Sequence, residues 1–270
     1  MSIRSKSEFI ISGDVLSVLM SLIIPMSVGM FALLVINLVD AFYIGKLGVL
    51  PLSAISFAFP VLFTIMSFNI GIAIGASASI SKFIGQRDLY KAKITVTNIF
   101  ILIFSFMCFV SLLCFWYNSQ IFILFGADGN TLILIQSYMS TWYIGSPFFA
   151  CLVIGNSILR ANGDSTTPSL IIIATSAINA ILDPILIFGL GPIDPIGIKG
   201  AAIATTISYI IGMNLMISSI SKVGLLSFPD RNLNSLIKTC FPILIIGLPA
   251  AFAMMLNPIV LGYINKLVSS

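Results

Sequence analysis

The sequence predicts an all-α polytopic membrane protein: a six-helix lobe followed by the first helix of a second, repeated lobe. Three observations lead there. Of the 270 residues, 59% are hydrophobic and only 8% are charged, with a mean hydropathy of +1.13, far from the composition of a soluble globular domain. Val15 to Val39 is a run of 25 residues without a charge, long enough by itself to cross a bilayer as a helix. The remaining charges gather in short segments between such runs.

Hydropathy and turn punctuation divide the chain into seven spans, at about 15 to 44, 52 to 81, 94 to 117, 132 to 159, 168 to 189, 198 to 220 and 239 to 264. The first opens behind Arg4, Lys6, Glu8 and Asp14. It is too long for a signal peptide and lacks a small-residue cleavage pattern, so it is expected to stay in the mature protein. Lys82, Arg87, Lys91 and Lys93 separate the second span from the third, and Gly126 to Asn130 separates the third from the fourth. Arg160 to Thr167 precedes the fifth span, and Lys222, Arg231 and Lys238 surround the segment before the seventh. Sorted by side, ten Lys and Arg residues lie with the amino terminus, against Lys46, Lys199 and Lys266 on the other side. By the positive-inside rule the amino terminus is cytoplasmic and the protein is a multi-pass component of the cytoplasmic (inner) membrane.

Several function classes fall away. The chain has no histidine, which argues against zinc chemistry and against Ser-His or Cys-His catalysis; no enzymatic activity and no cofactor are expected. Cys108, Cys114, Cys151 and Cys240 lie in or beside apolar runs without paired CxxC spacing, as packing residues do. The net charge of +4 resides in short loops and is explained by topology, so no nucleic-acid partner is implied.

An internal repeat would reveal how the lobe is built. Shifting the chain by 220 places Asn37 on Asn257, Tyr43-Ile44 on Tyr263-Ile264, and Lys46-Leu47 on Lys266-Leu267. Pro25 reaches Pro249 only across a gap of four residues, and Asp40 falls on Val260. Two readings stand: a chance match between apolar segments, or a repeat whose second copy opens with the seventh span. The second gives an amino-terminal lobe over residues 1–225, then an inter-lobe loop and the first helix of an incomplete lobe over 226–270.

Nine acids occur, and only Asp40 and Asp183 lie within apolar spans. An ionisable group at membrane depth is costly and marks a functional site by default. Asn37 stands three residues before Asp40, and Asn179 four before Asp183, so each helix presents an amide with a carboxyl. Both acids lie 15 residues beyond a proline, Pro25 or Pro168, in spans running the same way; this places them at one level, in the outer half. Thr205 enters that half from the sixth span, and Tyr138 and Gln136 from the fourth. Structural readings compete. Asp40, six residues before Lys46, could cap a helix; Asp183 could serve the backbone interrupted by Pro184; Thr205 could bond its own helix. Gly71 and Gly75 form a small-xxx-small pair that reads as close helix packing.

The string Pro25…Asn37-Leu38-Val39-Asp40-Ala41-Phe42-Tyr43-Ile44-Gly45-Lys46-Leu47-Gly48, with Ala54-Ile55-Ser56 and Pro60, resembles the first-helix signature of the multidrug and toxic compound extrusion (MATE) transporters. Arg160-Ala161-Asn162-Gly163-Asp164-Ser165-Thr166-Thr167-Pro168 and Gly197-Ile198-Lys199-Gly200-Ala201-Ala202-Ile203-Ala204-Thr205 are similar to further family motifs. The likeness covers essentially the whole chain and is greatest to the prokaryotic branch resembling DNA-damage-inducible protein F. It implies a twelve-helix protein of two facing lobes, of which this chain is the amino-terminal portion, with about five helices to follow. It also implies a cation site at Asp40, Asn179 and Asp183, with Thr205 and Tyr138 as further members. Asn37 joins that set by its helical face, Tyr138 and Gln136 are expected in the substrate cavity, and Pro25 is a candidate hinge about 22 Å along the helix from Asp40.

The function that follows is export of cationic, lipophilic small molecules by antiport against H+ or Na+, with Na+ at Asp40 and Asp183 as the one metal ion considered. Membrane lipid and the missing carboxy-terminal lobe are the other expected partners. A lipid-linked precursor flippase of the same superfamily is the alternative, although its anionic headgroups call for a cationic cavity and no Lys or Arg lies inside a span. A non-transporting truncated fragment is a further alternative. An intramembrane aspartyl protease also needs two aspartates, but here they follow Val39 and Leu182, outside the Tyr-Asp and Gly-x-Gly-Asp contexts.

Cysteine labelling is expected to find the Lys82–Lys93 and Lys222–Lys238 loops cytoplasmic and the Gly126–Asn130 loop outside. Labelling of the Lys82–Lys93 loop from outside intact cells would reverse the topology.

Overall fold

In a computed structural model the described residues are 14–190, 194–227 and 233–269, and they are helical apart from caps and turns. Arg4, Lys6, Glu8, Asp230 and Arg231 lie outside them. The helices are α1 (Val15–Lys46), α2 (Val49–Gly85), α3 (Leu89–Trp116), the short α4 (Asn118–Leu124), α5 (Gly129–Ala161), α6 (Thr166–Phe188), α7 (Ile198–Val223) and α8 (Leu233–Ser269). All but α4 contain a segment long and apolar enough to cross a membrane, so the seven expected spans are present. Most overrun their expected bounds because the caps, and not the apolar runs, set the ends. The side bearing Lys82, Arg87, Lys91 and Lys93 is termed the basic side below.

Local chemistry explains the ends. Asp14 caps α1 by accepting from the Ser17 amide at 3.2 Å. Between α2 and α3 the chain reverses in three residues with Arg87 at φ 59°, a left-handed conformation that a side chain adopts at a cost. There the Arg87 amide donates to the Ile84 carbonyl and the Asp88 amide to the Phe83 carbonyl, both at 3.0 Å. Asp88 then caps α3, accepting from the Lys91 amide at 3.1 Å and pairing with its ammonium at 2.8 Å. The Lys91 side chain and amide hold the Asp88 carboxyl below the usual carboxylate range. Asp164 opens α6 by accepting from the Thr167 amide at 3.1 Å and hydroxyl at 2.8 Å.

The core is built on α5, which packs against α7, α2 and α3. Its Ile135, Met139, Trp142, Tyr143, Ile154 and Ile158 are almost fully buried. The outward faces are the reverse of a soluble protein's: on α1, Phe31 is 69% and Leu38 71% exposed, as suits a helix whose surroundings are themselves apolar. Pro25 is half-buried within an unbroken α1.

Small residues bring the helices close. Ser169 of α6 approaches α1 at Gly29, where a Cβ would stand 3.2 Å from the serine Cβ. The expected close packing at Gly71 and Gly75 has α8 as its partner. A Cβ on Gly75 would come within 2.8 Å of the Gly247 nitrogen, and one on Gly71 would strike Ala251. A side chain on Gly247 would in turn meet the Ile72 Cα at 3.1 Å. Adjacent residues of α3 complete the attachment. Thr97 Oγ1 donates to the Ser227 carbonyl and accepts from its amide, each at 3.1 Å, while Asn98 Nδ2 donates to Thr239 Oγ1 at 2.8 Å.

Gly75→Leu is expected to lower stability by about 1–3 kcal/mol through overpacking against α8, read as a lower thermal unfolding midpoint in detergent. Gly85→Leu, where a Cβ meets nothing within 4 Å, is the control; equal midpoints for the two variants would contradict the close α2–α8 approach.

Candidate functional site: a buried pair of carboxyls

The site forms where α1 and α6 run side by side and α7 closes over them. The turn before α7 fixes this closure. Gly189 at φ 75° and Gly197 at φ 67° reverse the chain where glycine alone is unstrained. The Ile196 and Gly197 amides donate back to the Leu186 and Ile187 carbonyls at 3.0 and 3.1 Å, satisfying two carbonyls at the end of α6. Gly200 sits so near that a Cβ would meet the Leu186 oxygen at 2.5 Å. The start of α7 is thereby held against the end of α6, which brings Thr205 alongside Asn179.

Asp183 is 1% exposed and Asn179 is buried; Asp40 is half-buried. The Asp40 and Asp183 carboxyls lie within hydrogen-bonding reach of one another. Asn179 Nδ2 reaches Asp183 Oδ1 at 3.4 Å and Thr205 Oγ1 at 3.5 Å, both long. Thr205 spends its own proton on the Ala201 carbonyl at 3.0 Å, so toward Asn179 it is an acceptor. Thr205 is thus bonded to its own helix while it also lies beside Asn179. Among the described residues, Asp40 Oδ1 and Asp183 Oδ2 are buried without a hydrogen-bond partner. Two acceptor-rich oxygens lacking donors in a desolvated place suit a shared proton or a small cation.

Tyr138, 8% exposed, interacts electrostatically with Asp40, Asp183 and Tyr209. Gln136 was expected with it in a cavity. Instead, Gln136 Nε2 donates to Ser119 Oγ of α4 at 2.7 Å; two residues apart on a helix, it and Tyr138 occupy nearly opposite faces. Asn37 is exposed on α1 and makes no hydrogen bond among the described residues, so it is not tied to the carboxyls. Thr206, the neighbour of Thr205, turns to α5 and donates to the Thr141 carbonyl at 3.4 Å.

Sequence reasoning passed over Tyr209 and Trp142. The Tyr209 hydroxyl lies within reach of the Trp142 side chain, and Tyr209 also interacts with Asp40. Aromatic residues in apolar spans look like packing; the available signal was spacing, since Trp142 follows Tyr138, and Tyr209 follows Thr205, by one helical turn.

A bundle of membrane-length helices gathered around a buried carboxyl pair has the construction of a multi-pass membrane transporter. The MatE family pattern matches residues 25–185, more than half of the chain and both aspartates, and the chain belongs to that family. It is 37% identical over 206 residues to a protein of Shewanella oneidensis named FAD transporter, covering 76% of this chain and 46% of the relative. It is 29% identical over 199 residues to multidrug export protein MepA of Staphylococcus aureus, covering 73% and 43%. The solved bent form of the Vibrio cholerae MATE transporter VcmN superposes with a TM-score of 0.83 at 28% identity, covering 98% of this chain and 58% of that one. The chain thus spans about half the length of the relatives it matches.

Gln136→Ala is expected to cost about 1 kcal/mol, to raise protease access around α4, and to leave ligand binding unchanged. A selective loss of ligand affinity would return Gln136 to the cavity.

Proposed function

We propose that the chain is the ion-coupled, amino-terminal lobe of a transporter that exports cationic, lipophilic small molecules across the cytoplasmic membrane in exchange for H+ or Na+. The observation that carries this reading is that the Asp40 and Asp183 carboxyls lie within hydrogen-bonding reach of one another, each with a buried oxygen that has no partner among the described residues. Membership of the MatE family supports it, and so does similarity to a protein named for multidrug export.

Two carboxylates within hydrogen-bonding reach in a low-dielectric lobe repel and are poorly solvated, so the pair takes up a proton or a cation. With the pair charged, it attracts a cationic substrate. Entry of the coupling ion cancels that attraction and releases the substrate on the outer side. Asn179 steadies Asp183, Thr205 takes the second amide proton of Asn179, and Tyr138 faces the pair. Pro25 is the candidate bend through which occupancy of the site alters α1. In this reading the basic side is cytoplasmic, residues 1–225 form the first lobe, and α8 opens the second.

One observation favours a second reading. The relative named FAD transporter is the more similar of the two, and FAD couples a planar ring to a negatively charged pyrophosphate. Such a substrate, like the lipid-linked anion of a flippase, would enter only when the carboxyl pair is neutralised.

The test uses the complete protein in proteoliposomes under an imposed H+ or Na+ gradient, with ethidium and FAD as alternative cargoes. Asp40→Asn or Asp183→Asn is expected to abolish gradient-driven export while membrane insertion persists. Either change is also expected to shift the pH dependence left to the other acid, since paired groups titrate together. Normal export by both single variants across the pH range would make the aspartates structural.

A further inference from the structure

The reversal between α2 and α3 places an arginine where the backbone favours glycine. Arg87 holds φ 59°, a conformation in which glycine is unstrained and a side chain is not. A local cost of this kind points to a role for the side chain itself. The charge around it is equally uneven: between residues 82 and 93 the four cations Lys82, Arg87, Lys91 and Lys93 stand against one acid, Asp88. Asp88 is taken by Lys91 at 2.8 Å, and among the described residues Lys82, Arg87 and Lys93 form no ion pair. Lys82 and Arg87 are exposed. They stand about one turn apart, since the Lys82 carbonyl accepts the Gln86 amide at 2.9 Å.

The length of α3 fixes the depth of this patch. Tyr90 and Trp116, 75% and 68% exposed, lie 26 residues apart, about 39 Å along the axis at 1.5 Å per residue. A bilayer with both headgroup layers measures about 40–45 Å, and exposed Tyr and Trp side chains favour those layers. Between the two, Phe106, Phe109 and Phe115 are exposed, as on a helix that meets acyl chains. With α3 spanning in this way, Arg87, three residues before Tyr90, stands at the level of the lipid phosphates.

We propose that Lys82 and Arg87 bind the headgroup of an anionic phospholipid at the α2–α3 reversal, with the guanidinium gripping the phosphodiester. A guanidinium matches two phosphate oxygens at once, and the unpaired ammonium of Lys82 adds a second positive charge within reach of the same headgroup. The lipid is a bound component of the protein's surface and not its cargo. The proposal is independent of the carboxyl pair and of which side of the membrane the patch faces.

The experiment titrates the 270-residue chain, purified in a neutral detergent, with phosphatidylglycerol or phosphatidylcholine and counts bound lipid by native mass spectrometry. The parent is expected to prefer phosphatidylglycerol. Arg87→Gly and Lys82→Gln are each expected to weaken phosphatidylglycerol about fivefold and to leave phosphatidylcholine unchanged. Without lipid, Arg87→Gly is expected to unfold at the parent's temperature or above it, because glycine relieves the backbone. Lys199→Gln, an exposed cation at the opposite end of the bundle, is expected to keep the parent's preference. Equal loss of both lipids in Arg87→Gly would make the arginine structural, and an equal effect of Lys199→Gln would reduce the preference to net charge. Displacement of phosphatidylglycerol by millimolar inorganic phosphate would assign the patch to a free anion, and no preference in the parent would leave it to an acidic segment of protein. Each of these four results overturns the proposal.

Discussion

Two carboxyl groups pressed together in an apolar lobe cannot both stay ionised without compensation, and most of the polar architecture is arranged around that constraint. The pair exists because α1 and α6 lie close and run the same way. Small residues make the approach feasible at Gly29 and Ser169, and Ser165 Oγ binds the Ser21 carbonyl at 3.3 Å near the basic end of the same seam. At the other end, the glycine-flanked reversal between α6 and α7 delivers Thr205 to Asn179. Asp183 therefore sits where α1, α6 and α7 meet.

The lobe separates its polar groups by task. Helix-bonded hydroxyls such as Thr175, which donates to the Ile171 and Ile172 carbonyls at 2.9 Å, place little demand on neighbours. Interhelical pairs such as Ser111 and Ser146, 2.6 Å apart and buried, stitch α3 to α5. The carboxyls belong to neither group: they are acids brought together from α1 and α6, and a buried pair of acids, unlike a hydroxyl, can carry charge that its surroundings must compensate.

Much of this was legible in the chain. Membrane spans announce themselves through length and lack of charge, so all seven were found, and isolation within apolar runs singled out Asp40 and Asp183. Helical rise converts a count of 15 residues from a proline into depth, which is how the chain alone set the two acids at one level; in the fold their side chains interact. Azimuth was harder. Asn37 shares an approximate face with Asp40 but points to the exposed side, and Gln136 was assigned by depth when its helical face directs it to α4. The short helix α4 was missed because seven residues between spans carry too little periodicity, and Tyr209 because an aromatic ring has no polar contrast against an apolar run. Helix ends depended on Asp88 and Asp164 as caps, which hydropathy ignores.

The grip of α3 on Ser227 and Thr239 has a bearing on how the sequence can vary. Thr97 and Asn98 are consecutive, so Ser227 just beyond α7 and Thr239 within α8 are pinned to one point of the fold. The register of α8 against Gly71 and Gly75 is thereby fixed from Thr239 onward, and a single added residue between Thr239 and Gly247 would rotate the rest of the helix by about 100° and present a side chain where the glycines meet.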